Sequence, residues 1–181
     1  MKIGILPIGQ VEKAVLLRIN EDATQVFPNT TAKVVDEKMI IRENAFDKKR
    51  KQYRSHIILS DVQSCALKNP DLNCVLGVVD ADIFIPELNF VFGEAVCPGK
   101  AALISLCRLR PKFYGEMPDI KLFYARVVKE AVHEVGHTLG LQHCSRAQCV
   151  MHFSNSISDT DVKQRSFCDK CYMQVKTRLK G

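Results

Sequence analysis

HEVGHTLGLQH, residues 133–143, is the stretch of sequence that decides how this chain folds and what it binds. His133 and His137 are four residues apart. Four residues turn a helix by about 400°, so both imidazoles project from one face and can hold one metal ion. Glu134 follows the first histidine, where it can take a proton from a metal-bound water without binding the metal itself.

The third histidine depends on a glycine. In a continuous helix, His143 would lie about 15 Å along the axis from His133, beyond the reach of a shared ion. Gly140 can adopt the left-handed backbone conformation that ends a helix and turns the chain back. The third imidazole then completes a three-histidine site with one open position, which is typical of catalytic zinc. The alternative is a helix that carries histidines by chance, but the fixed offsets of the glycine and the third histidine make that coincidence rare.

The cysteines divide into a cluster and a scattered set. Four lie close together near the C-terminus: Cys144, Cys149, Cys168 and Cys171. Their spacing can supply four thiolates to a tetrahedral ion, so we predict a structural zinc site. Disulfides, free thiols and an iron–sulfur cluster are the alternatives, and disulfides require an oxidising compartment. We predict that the other four cysteines are small buried side chains: Cys65, Cys74, Cys97 and Cys107.

The composition is that of an ordinary globular protein, with 181 residues, 46% hydrophobic, 25% charged and a net charge of +6. It excludes a disordered chain, a collagen-like repeat and a coiled-coil rod. No apolar run approaches the roughly 20 residues of a membrane helix, and the first residues are too short for a signal peptide. We therefore expect a cytoplasmic protein without a membrane partner. The basic run at 48–51, with Arg54, predicts a solvated helix face rather than a nucleic-acid site.

Strand-like and helical patterns alternate along the first two thirds of the chain. We predict strands at 2–8, 31–41 and 74–79 and helices at 11–24 and 45–65. This order favours a mostly parallel sheet covered by helices. We further predict an edge strand at 86–96, a last strand at 101–109, a helix capped by Asp119 that runs to about residue 139, and a short helix at 168–179.

The histidine motif resembles that of the metzincin clan of zinc metallopeptidases, in which H-E-x-x-H-x-x-G-x-x-H precedes a methionine turn. The resemblance implies that Met151 forms an apolar floor under the three histidines. The cysteines that follow are similar to those of the archaemetzincin family, which adds a four-cysteine zinc site to the metzincin core. The shared motifs cover residues 133–171. Other branches of the clan often carry a tyrosine just after the methionine, whereas this sequence has His152 and Phe153. We expect no tyrosine contribution to oxyanion binding.

We therefore predict a single α/β domain over residues 1–181. It would have a metzincin-like, mostly parallel twisted sheet with an antiparallel edge strand, an active-site helix and a small zinc-stapled C-terminal subdomain. Residues 1–140 would supply the sheet and the helices, including the active-site helix. Residues 141–181 would supply the methionine turn and the four-cysteine zinc site.

The predicted function is that of a zinc-dependent metallopeptidase acting as a monomer on peptides or proteins. It would bind two zinc ions, and Glu134 would activate a zinc-bound water. Residues 88–92 would pair with the extended substrate, although an ordinary core hairpin explains their pattern equally well.

Two other functions remain open. A peptide-binding protein without turnover would not need Glu134. A zinc-ribbon-like nucleic-acid module has the least support, because the sequence lacks a set of stacking aromatic residues. We predict a structural role for His56 and assign none to His152.

Overall fold

The computed structural model describes residues 1–180 and has an α/β architecture. Within this range the strands are β1 (Lys2–Ile8), β2 (Thr31–Val34), β3 (Phe46–Asp47), β4 (Gln52–Arg54), β5 (Cys74–Val79), β6 (Ile83–Phe84), β7 (Gly93–Ala95) and β8 (Ala101–Ser105). The α-helices are α1 (Lys13–Val26), α2 (Ser55–Lys68), α3 (Ile120–Thr138), α4 (Ile157–Val162) and α5 (Asp169–Lys180). Short 3₁₀ turns lie at Glu43–Ala45, Cys107–Leu109 and Pro111–Tyr114. None of the helices in residues 1–180 combines the length and apolarity needed to span a bilayer.

The main sheet has five strands in the order β2-β1-β5-β8-β7. Its first four strands are parallel, and β7 pairs antiparallel with β8 at one edge. All residues of the central strand β5 are buried because the sheet is covered on both faces. Helices α1 and α3 pack on one face, and α2 packs on the other. The predicted mostly parallel sheet with an antiparallel edge strand is confirmed.

The predicted helix at 45–65 is wrong in its first half. Helix α2 begins only at Ser55, and residues 46–54 form the hairpin β3–β4, which joins β6 in a second small sheet. The Asp47 carboxylate accepts hydrogen bonds from the backbone N–H groups of Lys49 and Arg50, both at 3.0 Å. Such local side-chain bonds compete with helix formation, so the basic run becomes a hairpin turn rather than a helix face.

Three predicted strands are also shorter in the structure. The ladder of β2 ends at Val34, and β8 ends at Ser105. At the sheet edge, β7 contains only Gly93–Ala95, so residues 88–92 form an irregular loop instead of the predicted edge strand. The guanidinium of Arg50 donates to the carbonyl oxygens of Leu88 and Asn89, each at 2.8 Å. These carbonyls therefore have side-chain partners in place of a neighbouring strand.

Helix α3 begins and ends where the sequence predicts. The Asp119 carboxylate accepts a hydrogen bond from the backbone N–H of Leu122 at 2.9 Å and caps the first turn. The helix ends at Thr138, and Gly140 has a φ of +85°, the left-handed conformation expected of it. Helix α5 lies close to the predicted 168–179. Helix α4, which the sequence analysis did not predict, begins with a capping box formed by Ser156 and Asp159.

Candidate metal centres and active-site cleft

The three histidines of the motif converge at the C-terminal end of α3. His133 and His137 lie on its last two turns, and the Gly140 turn brings His143 back beside them. The ring centroids are 4.6 Å apart for the first pair, and the third ring lies 5.4 and 4.9 Å from them. Among the described residues, their ring nitrogens form one of the two groups close enough to hold a metal ion.

Hydrogen bonds orient two of these rings. His133 donates from Nδ1 to the Val150 carbonyl, and His137 donates from Nδ1 to the Leu141 carbonyl, both at 2.7 Å. Each Nε2 then carries a lone pair, and the two Nε2 atoms lie 3.1 Å apart. Two nitrogens bound to one tetrahedral zinc at 2.0–2.1 Å would be about 3.3 Å apart, so the cluster fits that ion.

Burial keeps the histidines in the neutral form that binds metals. Burial lowers the pKa of His133 well below its usual value and also lowers the pKa of His137 and of His143. The nearby Lys163 ammonium acts in the same direction on all three. The cluster is therefore ready to bind a cation near neutral pH without first losing protons.

Glu134 lies in the cleft with only 4% of its surface exposed. Its Oε2 atom has no hydrogen-bond partner among residues 1–180. Burial raises its pKa well above the usual value, and the carboxylates of Glu130 and Glu94 raise it further, against the opposing effect of Lys163. The carboxylate also packs on Gly93 of β7, where a Cβ atom would come within 2.6 Å of Glu134 Oε1. A buried carboxylate with a free oxygen is suited to accept a proton.

Met151 is fully buried against the helix that carries the histidines. A Cβ atom at Gly136 would lie 2.5 Å from the Met151 sulfur. Position 136 falls between His133 and His137 along α3, so the methionine side chain packs directly against the turn that carries these two histidines. The close approach explains the glycine inside this helix.

The four clustered cysteines form the second candidate site in the described chain. Their sulfur atoms lie within 4.8 Å of one another, and those of Cys144 and Cys168 are 3.8 Å apart. Two thiolates on one tetrahedral zinc at about 2.3 Å would be about 3.8 Å apart, whereas a disulfide requires about 2.05 Å. Burial raises the pKa of Cys168, but hydrogen bonds from Cys171, Cys149 and Cys144 outweigh it and lower that pKa to about 7. The donor set fits zinc.

The two candidate sites share a stretch of backbone. Val150, whose carbonyl orients His133, lies between Cys149 and Met151. The backbone N–H of Cys144 donates to the Met151 carbonyl at 2.8 Å, and His143 precedes Cys144 directly. A shift of the cysteine cluster would therefore also move the Val150 carbonyl, which orients the His133 ring, and the backbone next to His143.

Sequence reasoning missed a buried ion pair beside the site. The Lys163 side chain is fully buried, and its Nζ lies 2.8 Å from Oε1 of Glu130, which also lines the cleft. Thr160 donates from its hydroxyl to the same oxygen at 3.2 Å. Glu130 precedes Glu134 by one helical turn, which is a detectable signal, but nothing local in the sequence indicates that Lys163 is its partner.

A cleft of about 520 Å³ runs past the three histidines and Glu134. Residues 85 and 87–95 line it, and so do Phe153, Ser154 and Asn155. The Phe153 ring lies 5.0 Å from the His143 ring. The loop 88–92 therefore lines the cleft, but it is not the strand that the substrate hypothesis predicts.

The remaining histidines and cysteines belong to neither cluster in the described chain. His152 hydrogen-bonds through Nδ1 to the Cys144 carbonyl at 2.9 Å, and His56 is exposed at the start of α2. Two of the scattered cysteines are buried as predicted, Cys65 and Cys74. The other two contradict that prediction because Cys97 is exposed in the cleft and Cys107 is half-buried in a 3₁₀ turn.

Comparisons with known proteins give a consistent result. The model of peptidase family M54 matches residues 11–177. The archaemetzincin of Methanocaldococcus jannaschii is 42% identical over 98% of this chain and 94% of its own length. That of Pyrococcus abyssi is 41% identical over 98% of this chain and 95% of its own length.

Crystal structures of archaemetzincins are also similar. The one from Methanopyrus kandleri has a TM-score of 0.87 and 34% identity and covers 100% of this chain and 96% of that chain. The one from Archaeoglobus fulgidus, complexed with malonate, has a TM-score of 0.81 and 38% identity and covers 96% and 99% of the two chains.

Proposed function

Because the chain belongs to peptidase family M54, the archaemetzincins, and is a zinc metallopeptidase acting on peptides or proteins, we propose that it cleaves peptide bonds at the three-histidine cluster. We further propose that Glu134 is the general base. One observation carries the proposal. Two imidazole Nε2 atoms 3.1 Å apart share a cleft with a buried carboxylate whose Oε2 has no partner in the described chain. The ligand set and the proton acceptor that peptide hydrolysis needs are thus in one place.

The site residues have two roles, metal binding and proton transfer. We assign the catalytic metal to His133, His137 and His143. Zinc bound there supplies Lewis-acid polarisation of the scissile carbonyl and lowers the pKa of the attacking water. Glu134 takes the proton of that water and delivers it to the departing amine. The raised pKa of this buried carboxyl supports the second half of its role, since it favours holding the proton between the two steps.

We further propose that the chain binds a second, structural zinc through Cys144, Cys149, Cys168 and Cys171. The match between the 3.8 Å sulfur separation and a tetrahedral thiolate site supports this assignment. The two ligand sets share no residue, so we expect two zinc ions per chain. Elemental analysis of zinc-replete protein measures this number. A value near one, with the four thiols still freely titratable, would contradict the second site.

The cleft walls and both ligand sets come from one chain, so we propose that a monomer is sufficient for activity. The single domain over residues 1–181 also stays a prediction. Sedimentation of the active, zinc-loaded protein tests the first point, because activity confined to a larger species would contradict it. Cooperative unfolding in one transition is the expected outcome for the second.

The central test compares wild type with Glu134→Gln, which keeps the size of the side chain and removes the base. Both proteins are loaded with zinc, analysed for metal content and incubated with a peptide library that is read by mass spectrometry. We expect equal zinc content in both proteins, because position 134 supplies no ligand. We expect cleavage by the wild type alone, because the variant lacks the base. Equal cleavage by the variant would show that Glu134 is not the base. Peptide binding without cleavage by the wild type would favour a binding protein instead.

A further inference from the structure

The cleft contains a hydroxyl group that the proposed mechanism does not use. Ser154 lines the cleft beside Phe153, and its Oγ is buried without a hydrogen-bond partner in the part of the chain that the structure describes. Buried polar side-chain atoms are nearly always hydrogen-bonded, and one that is not calls for a specific explanation. At the wall of a peptidase cleft, the bound peptide is the natural source of the missing partner.

The backbone on both sides of this serine is held in place. On one side, the His152 ring hydrogen-bonds to the Cys144 carbonyl at 2.9 Å. On the other side, the Asp159 carboxylate accepts hydrogen bonds from the backbone N–H groups of Asn155 and Ser156, at 3.1 and 2.8 Å. The segment that carries Ser154 is therefore held by hydrogen bonds on both sides, which preorganises its backbone.

The position of the serine relates it to the reacting centre. It follows Phe153, whose ring lies 5.0 Å from that of His143, and it follows Met151 by three residues. No tyrosine stands in this segment. The carboxylates of Glu130 and Glu134 also line the cleft, and they cannot stabilise negative charge. A neutral hydrogen-bond donor such as the Ser154 hydroxyl can stabilise the negative charge that develops on the scissile carbonyl oxygen.

We propose that Ser154 is a catalytic residue whose Oγ–H donates a hydrogen bond to the scissile carbonyl oxygen as that oxygen becomes an oxyanion. The hydroxyl keeps its proton throughout, and the only proton carrier is Glu134. This assignment rests on the proposed peptidase function. Because the bond is strongest in the transition state, its removal should lower kcat and leave KM nearly unchanged.

The test uses the zinc-loaded full chain as wild type, Ser154→Ala and Ser154→Thr, with Ser158→Ala as the matched control. Ser158 is an exposed serine on α4 that does not line the cleft. Loss of one oxyanion donor lowers kcat by about 10²–10³-fold in known enzymes, and we expect about 10²-fold for Ser154→Ala. The threonine variant keeps the hydroxyl and should retain most of the activity. The control should match the wild type, and zinc content should be equal in all four proteins.

A second measurement does not depend on turnover. A phosphinic peptide carries a tetrahedral, charged group that imitates the oxyanion, whereas a product peptide does not. In calorimetric titrations, Ser154→Ala should weaken binding of the phosphinic peptide by about the same factor as kcat and leave binding of the product peptide unchanged. If the alanine variant does not fold, Ser154→Cys provides the same comparison, because a thiol is a weak donor.

The outcomes separate this inference from the proposed function. Unchanged kcat and unchanged phosphinic-peptide affinity in Ser154→Ala would overturn the role of Ser154 while leaving the peptidase function intact. A rise in KM alone would overturn it too, since that pattern belongs to ground-state binding. A wild type that cleaves no peptide would contradict the proposed function, and the phosphinic-peptide titration would still decide whether Ser154 contacts the charged oxygen.

Discussion

Replacement of Cys168 by serine should weaken zinc binding at the three-histidine cluster, although residue 168 supplies no ligand there. The Cys168 sulfur lies 3.8 Å from that of Cys144, and its backbone N–H donates to the Cys149 sulfur at 3.4 Å. Loss of this thiolate loosens both neighbours. Cys144 follows His143, and Cys149 precedes Val150, whose carbonyl orients another of the imidazoles.

The structure sets the size of the expected effect. The Val150 carbonyl, which accepts a hydrogen bond from the His133 ring at 2.7 Å, is no longer held in a fixed position. His143 is affected because the neighbouring Cys144 is also less firmly held. His137 keeps its own acceptor, the Leu141 carbonyl, which lies outside the cysteine cluster. Loss of such an orienting partner typically lowers metal affinity by about 10–100-fold. We therefore expect the catalytic zinc to bind about 1.4–2.7 kcal/mol less tightly.

The assay is a competitive titration with a chromophoric chelator on wild type, Cys168→Ser and Cys107→Ser. Cys107 is half-buried and lies outside both clusters, so its variant controls for the loss of a thiol. Titration with Co²⁺ assigns the affinities, because thiolate and imidazole ligation give different visible spectra. Circular dichroism verifies folding. Equal affinities at the histidine cluster in the two folded variants would refute the coupling and show that the cysteine zinc only fastens the C-terminal helix.

Three other changes have defined outcomes. Gly136→Ala forces a Cβ atom into the Met151 sulfur, and such overpacking costs about 1–3 kcal/mol, so thermal unfolding should begin at a lower temperature. Arg50→Met removes two hydrogen bonds to the cleft wall, and amide exchange at 85–92 should become faster than in the exposed-residue control Lys49→Met. Chelation of bound metal should lower the Tm of the wild type, because metal bound to the folded state alone stabilises it; an unchanged Tm would contradict this linkage.

The elements that sequence reasoning predicted well are those with strong local signals. The apolar run of β5 and the Asp119 cap of α3 depend on residues close in the chain, and both are present in the structure. The hairpin at 46–54 was missed because its charged residues also suit an exposed helix face. What separates the two possibilities is the bonding of the Asp47 side chain to nearby N–H groups, which composition does not reveal.

The sequence by itself predicted the two candidate ligand sets and the proposed base. The spacing of HEVGHTLGLQH and of the four cysteines depends on helix geometry and one glycine turn, which are local properties. Only the tertiary structure decided how these groups are supported. The Val150 carbonyl that orients His133 has no residue-type signature, since every residue carries a carbonyl. The pairing of Lys163 with Glu130 joins segments distant in sequence, and the Ser154 hydroxyl lacks a partner among the described residues, so only the assembled fold reveals these two features.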